Sequence, residues 1–160
     1  MIQANRRDFC RALVGGAAGL SLATRLQNAF SQDNTSAISA TRISENFTML
    51  AGAGANVLVL TQGDGVLLVN GGVAERSEDL LKAVSGISDG KKVQTLFNTC
   101  WHLDSTGAND PLGKAGTKII AHENTKLWMG AEIISMWEHK TYQPRPKEAR
   151  PNATFIQPAR

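Results

Sequence analysis

The sequence predicts an α+β fold, a mixed antiparallel sheet with flanking helices. Two patterns carry this reading. Between residues 46 and 72, short β-branched runs alternate with Gly-rich turns. From residue 74 on, stretches with helical spacing alternate with further short apolar runs. Composition agrees: with 160 residues, 42% hydrophobic and 19% charged, the chain can bury the core of one domain. Disorder would require lower hydrophobicity and higher net charge.

The N-terminal 31 residues read as a targeting segment. Asn5-Arg6-Arg7-Asp8-Phe9-Cys10-Arg11 precedes an apolar run from Ala12 to Ala23. A charged stretch followed by a short apolar one has signal-peptide architecture and is too short for a stable membrane anchor. Paired arginines followed by Phe9 resemble a twin-arginine leader, which implies the twin-arginine translocation machinery as a partner and a periplasmic or secreted destination. Ala29-Phe30-Ser31 fits a cleavage site. Four of the 17 basic residues but only Asp8 of the 14 acidic ones lie in this segment. The remainder is neutral, so no basic field argues for a nucleic-acid partner.

The elements follow in order. Residues 32–41 are small and polar and read as a flexible lead-in, with the domain proper at 42–160. Asn46–Leu50 and Asn56–Thr61 read as strands separated by a turn at Ala51–Gly54. Gly63-Asp64-Gly65 is a hairpin turn and Val66–Val69 the return strand. Gly52-Ala53-Gly54 is no dinucleotide loop, because it opens a strand rather than a helix. Ala74–Ser85 carries Leu80, Leu81 and Val84 at helical spacing among charged residues. Lys92–Asn98 reads as a strand, Thr99–Gly107 as a loop and Asn109–Ala115 as a short helix. Thr117–Ala121 is a strand, Glu123–Met129 a helix, and the Pro-rich stretch from Tyr142 reads as extended or loop-like.

The chemistry concentrates in one loop. Cys100, His102 and Asp104 occupy alternate positions at a predicted strand end, where i, i+2 and i+4 can project to one side. Thiolate, imidazole and carboxylate are all zinc ligands. The same residues also fit a surface loop with a packed cysteine, or a thiol–imidazole nucleophile–base pair. Cys100 has no cysteine partner beyond Cys10 of the leader, so an internal disulfide is excluded from residues 32–160.

The segment Thr99-Cys100-Trp101-His102-Leu103-Asp104-Ser105-Thr106-Gly107-Ala108-Asn109 resembles the metallo-β-lactamase superfamily motif Thr-His-x-His-x-Asp-His with its following Thr-Gly-Gly-Asn. The flanks resemble it as well. Val66–Gly72 is similar to the family's apolar strand ending in Asp-x-Gly, and Gly116–Thr125 to its Gly-Ala-x-Ile-Ile-Ala-His-Glu stretch. The resemblance implies an αββα sandwich, of which residues 42–160 would be the N-terminal half, incomplete at the C-terminus. It implies one or two zinc ions and a small-molecule substrate for a complete member.

Carried over by position, the resemblance makes Cys100 and His102 ligands of the first zinc. It makes Asp104 a ligand of the second zinc and the residue that orients the attacking water. Cys100 stands where the family has histidine, Ser105 replaces a second-zinc histidine, and Asn70 replaces an aspartate. A thiolate makes zinc a weaker Lewis acid than imidazole would. After Asp104 the chain offers only His122, read as a supporting residue, and His139, read as a solvated helix end. Leu127, Trp128, Met129, Ile133, Ile134, Met136 and Trp137 form an apolar stretch that would be core or line a substrate mouth in a complete protein. Left open in a half domain, it predicts self-association. Two functions follow: an exported zinc-dependent hydrolase with an impaired metal site, or a non-catalytic scaffold or binding module on the same fold.

Export through the twin-arginine route is expected to stop in a reporter fusion carrying Arg6→Lys plus Arg7→Lys. Unchanged export of that fusion by the same route would contradict the leader assignment.

Overall fold

The structure, a computed structural model, describes residues 37–156. The leader with its arginine pair, residues 32–36 of the lead-in, and Pro158 lie outside the described residues. Nine strands and three helices are present among the described residues. The strands are β1 (Ser39–Arg42), β2 (Phe47–Ala51), β3 (Val57–Gln62), β4 (Gly65–Val69), β5 (Lys92–Asn98), β6 (Lys118–His122), β7 (Ile133–Ser135), β8 (Lys140–Tyr142) and β9 (Ala153–Phe155). The helices are α1 (Ser77–Ile87), α2 (Asn109–Lys114) and α3 (Glu123–Gly130). No helix among the described residues is long and apolar enough to cross a membrane.

Seven strands form one mixed sheet in the order β1-β2-β3-β4-β5-β6-β9. Strands β1 to β4 are an antiparallel meander, as the Gly-rich turns require. The pairs β4–β5, β5–β6 and β6–β9 are parallel, so a crossover precedes each new strand, with α1 and α2 in the first two. β7 and β8 make a separate antiparallel hairpin.

Period-2 alternation sets the faces. Val57 and Val59 of β3, Val66 and Leu68 of β4, and Ile119 of β6 point to the core, where Leu80 and Val84 of α1 and Leu112 of α2 cover them. Leu58, Leu60, Leu67, Val69, Phe97 and Ile120 fall on the opposite face and are half-buried. On β5 the alternation slips once. The register shifts between Val66 and Leu67 of its partner, so Val93, Leu96 and Asn98 are all buried while Gln94 is exposed. That slip brings a polar residue, Asn98, onto the core face at the strand's end.

Three expectations change. The lead-in is not flexible throughout: Ser39–Arg42 is an edge strand, whose small polar residues gain backbone pairing with β2 and bury no side chain. His139 is not a helix end but a residue of the β7–β8 turn with φ +50°; tight hairpin turns need positive φ. The Pro-rich stretch from Tyr142 is not simply extended or loop-like, since it contains a 3-10 turn and β9. Asn152 imitates a strand partner here. Its side chain accepts from the Ile119 amide at 2.9 Å and donates to the Thr117 carbonyl at 3.1 Å, which guides β9 onto β6.

Leu68 is fully buried at the centre of the sheet. Leu68→Ala should cost about 2–5 kcal/mol in urea unfolding, because truncation leaves a cavity in the core. Leu127→Ala, on the exposed face of α3, should stay within about 0.5 kcal/mol of the parent.

Candidate functional site

The parallel strands β4, β5 and β6 end on the same side, and the polar and aromatic residues of interest collect there. In open sheets the carboxyl ends of parallel strands are where ligands bind, because loops and helix starts converge on them. Asn70 follows β4, Thr99–Gly107 follows β5, and His122 closes β6.

The loop after β5 is tied down by backbone and side-chain bonds. Asn70 sits at φ +66°, and its carboxamide oxygen accepts from the Thr99 amide at 3.1 Å and the Thr99 hydroxyl at 2.9 Å. The Gly71 amide donates to the Ser105 carbonyl at 2.6 Å, Gly107 to Gly72 at 2.6 Å, and Ala108 to Gly71 at 3.0 Å. The Ala55 amide donates to the Asp104 carbonyl at 3.1 Å. Glycine is required at two of these approaches. A Cβ on Gly72, at φ +62°, would strike the Ala53 carbonyl oxygen, and one on Gly107 would strike the Val73–Ala74 backbone. An aspartate in place of Asn70 could still accept both Thr99 bonds, but as a charge.

Beneath the loop lies a buried polar pair. The Asn98 amide donates to the Asn109 carboxamide oxygen at 3.1 Å, and Asn109 donates back at 2.8 Å. Asn109 also donates to the Ala149 carbonyl at 2.9 Å. Both side chains are essentially inaccessible, so each is the other's replacement for water.

The structure does not gather the sequence-predicted ligands. Among the described residues, no three His, Cys, Asp or Glu side chains converge closely enough to hold a metal ion. The physical reason is that the alternation assumed for Cys100, His102 and Asp104 belongs to extended backbone. β5 ends at Asn98, and the chain then turns: the Ser105 amide donates to the His102 carbonyl at 3.2 Å, and the Thr106 hydroxyl to the same oxygen at 2.8 Å. Cys100 is a half-buried free thiol. His102 and Asp104 are exposed. Ser105, buried, donates its hydroxyl to the Asp104 carboxylate at 3.2 Å. A catalytic zinc requires three protein ligands and an open position, which these described residues do not supply among themselves.

His122 has a structural duty. Its Nδ1 accepts from the Asn124 amide at 3.1 Å, capping α3, and its ring meets Phe155 edge-on at 5.4 Å.

Beside the loop is a cleft of about 440 Å³ bounded by Trp101, His102, Trp128, Trp137, Glu138 and Tyr142. Trp101 stacks on Trp128 with centroids 5.6 Å apart, tilts against His102 at 4.9 Å and meets Tyr142 edge-on at 5.4 Å. The Tyr142 hydroxyl donates to Glu138 at 3.1 Å. Its ionisation is pushed up, first by loss of water around the ring and then by the hydrogen bond to Glu138 and that group's charge. Trp137 is 86% exposed and Met136 80%, on the hairpin rim. Of the apolar stretch 127–137, Met129 is buried in the core, whereas Trp128, Ile133, Ile134, Met136 and Trp137 line the surface cleft. Sequence reasoning missed the Asn98–Asn109 pair, Tyr142 and Arg145. Only Asn98 left a signal, as a polar residue closing an otherwise apolar strand.

No family model matches the chain, and no curated protein matches it. Solved structures do. The chain is similar to DIM-1 metallo-β-lactamase (16% identity, TM-score 0.55, covering 76% of this chain and 52% of that one). It is also similar to Rm3 metallo-β-lactamase (17% identity, TM-score 0.57, 79% and 46%). A third is the metallo-β-lactamase FIM-1 from Pseudomonas aeruginosa in its mono-zinc form (19% identity, TM-score 0.51, 61% and 47%). The chain has the metallo-β-lactamase fold and spans about half the length of these structures.

Asn109→Ala should destabilise by about 1–3 kcal/mol, since it strands the Asn98 amide without a partner. Asn98→Ala plus Asn109→Ala should cost clearly less than the two single changes added together. Urea unfolding of all four proteins checks this, and strict additivity would contradict the pairing.

Proposed function

We propose that the chain is part of an exported hydrolase of the metallo-β-lactamase type, with a metal site that residues 37–156 do not complete. The observation that supports the hydrolase reading is position. The loop carrying Cys100, His102 and Asp104 lies at the carboxyl ends of the parallel strands, beside an aromatic cleft large enough for a small molecule. On this reading Trp101, Trp128 and Tyr142 hold the apolar body of the substrate, and His102 lines the cleft for ligation or proton transfer, with Asp104 two residues further along the same loop. Zinc would supply an activated water in a complete member of the fold. The donor set here does not fit a zinc ion on its own, so no step is assigned to one. Export would follow the leader at residues 1–31 to the periplasm or outside the cell. The exposed rim around Met136 and Trp137 supports self-association.

The turn at His102–Ser105 favours a second reading, a non-catalytic binding module that keeps the cleft without the chemistry. The two differ in one experiment. The purified 160-residue chain, loaded with zinc and freed of excess, is expected to retain clearly less than one zinc per chain and to hydrolyse no nitrocefin. Cys100→His should not restore turnover, because a single exchanged donor leaves the site short. Stoichiometric zinc with hydrolysis that disappears on chelation and in His102→Ala would overturn the claim of an incomplete site. Cleft binding without zinc or turnover would establish the second reading.

A further inference from the structure

We infer that a second cleft, which shares Trp101, Trp128 and Tyr142 with the first, is a recognition site for a carboxylate attached to a flat apolar group, with Arg145 as the anchor. The inference deepens the reading that this side of the molecule meets a small molecule. It uses no metal.

The second cleft, of about 250 Å³, is walled by Trp101, Trp128, Ile133, Tyr142, Pro144 and Arg145. Its walls are mainly aromatic and aliphatic, with Gln143 and the half-buried Arg145 as the polar residues that line it. Arg145 is held firmly. Its amide donates to the Met129 carbonyl at 2.8 Å, and its own carbonyl accepts from Arg150 Nε at 2.7 Å. Pro144 and Pro146 on either side restrict its backbone. One guanidinium nitrogen, Nη2, donates to the Thr106 hydroxyl at 3.3 Å, which links the anchor to the loop after β5.

Among the described residues no carboxylate pairs with Arg145; the ion pairs there are Arg76–Asp79 and Lys114–Asp110. Glu132 accepts from Gln143 at 3.1 Å and Glu138 from Tyr142 at 3.1 Å, and neither these nor Glu148, three residues further on, forms an ion pair with Arg145. A guanidinium has five N–H donors in a planar fork. One is used by Thr106, and no other described residue takes the rest. A half-buried cation with unused donors, at the end of an aromatic slot, matches a ligand that brings both the acceptor oxygens and the flat apolar body. A carboxylate fits the fork with two parallel bonds, whereas a neutral amide offers one acceptor.

The test uses the full chain with EDTA present throughout, so metal content has no influence. Tryptophan fluorescence is titrated with phenylacetate and with phenylacetamide, which share a ring and differ in charge. Phenylacetate is expected to bind about tenfold or more tightly, since a hydrogen bond to a charged group is stronger than a neutral one. Arg145→Gln should abolish the preference, weakening phenylacetate far more than phenylacetamide. Arg145→Lys should recover only part of it, because the charge remains but the fork is lost. Thr106→Val, which removes the acceptor that aims the guanidinium, should reduce the preference without removing it. Should Arg145→Gln fail to fold, the parent's acid–amide ratio and the Thr106→Val and Arg145→Lys ratios still decide. Equal affinity for acid and amide, no binding of either, or a preference that survives Arg145→Gln would overturn the inference. Stoichiometric zinc with turnover, alongside an acid preference, would overturn only the claim of an incomplete metal site. Sub-stoichiometric zinc and no turnover, together with equal affinity for acid and amide, would overturn only this inference.

Discussion

Asn98 and Asn109 exchange hydrogen bonds in a space closed to water, and the end of the sheet is organised around that exchange. An unpaired carboxamide there would lose its hydration with nothing in return. The pair therefore fixes the distance between the end of β5 and the start of α2. The intervening loop has to close over it. Through the Ala149 carbonyl, the same pair ties down the chain segment that leads to β9.

Loop closure in turn determines what the exposed residues can do. Gly71, Gly72, Gly107 and Ala108 knit the β4 and β5 loops together through their backbones, and the turn from His102 to Ser105 takes up the remaining length. Side chains that would share a face on a strand are spread around a turn instead. Trp101 is the exception, because it is anchored by rings on three sides rather than by the backbone alone. The loop is thus well placed for holding a molecule against an aromatic wall and poorly placed for concentrating three metal donors. The metallo-β-lactamase fold accounts for where this loop lies. The local hydrogen bonds account for how its residues point.

Most of the sheet was legible because its signals are local. β-branched runs, Gly-rich turns and the amphipathic spacing of Leu80 and Val84 each specify an element within a few residues. β5 coincides with its predicted span. β1 was not legible, since Ser39–Arg42 has no apolar face and exists only through pairing with β2. The β7–β8 hairpin was hidden by an apolar stretch that fits helix or strand equally well, and by a turn built on His139 rather than glycine. The candidate site was legible in position but not in geometry. Alternation of Cys100, His102 and Asp104 predicts a shared face only for a strand, and nothing local announces that β5 stops at Asn98. The Arg145 anchor depends on contacts 39 residues away in sequence, beyond any periodic signal.

The central claim is that the loop after β5 is locked by its own hydrogen bonds in a form that does not collect metal ligands. Amide hydrogen exchange, followed by NMR at Gly71, Gly107 and Ala108 with and without added zinc, tests it most directly. The account predicts slow exchange at all three, on the scale of global unfolding, and no change when zinc is added. Rapid exchange at these amides, or protection that shifts with zinc, would show a loop free to rearrange around a metal and would contradict it.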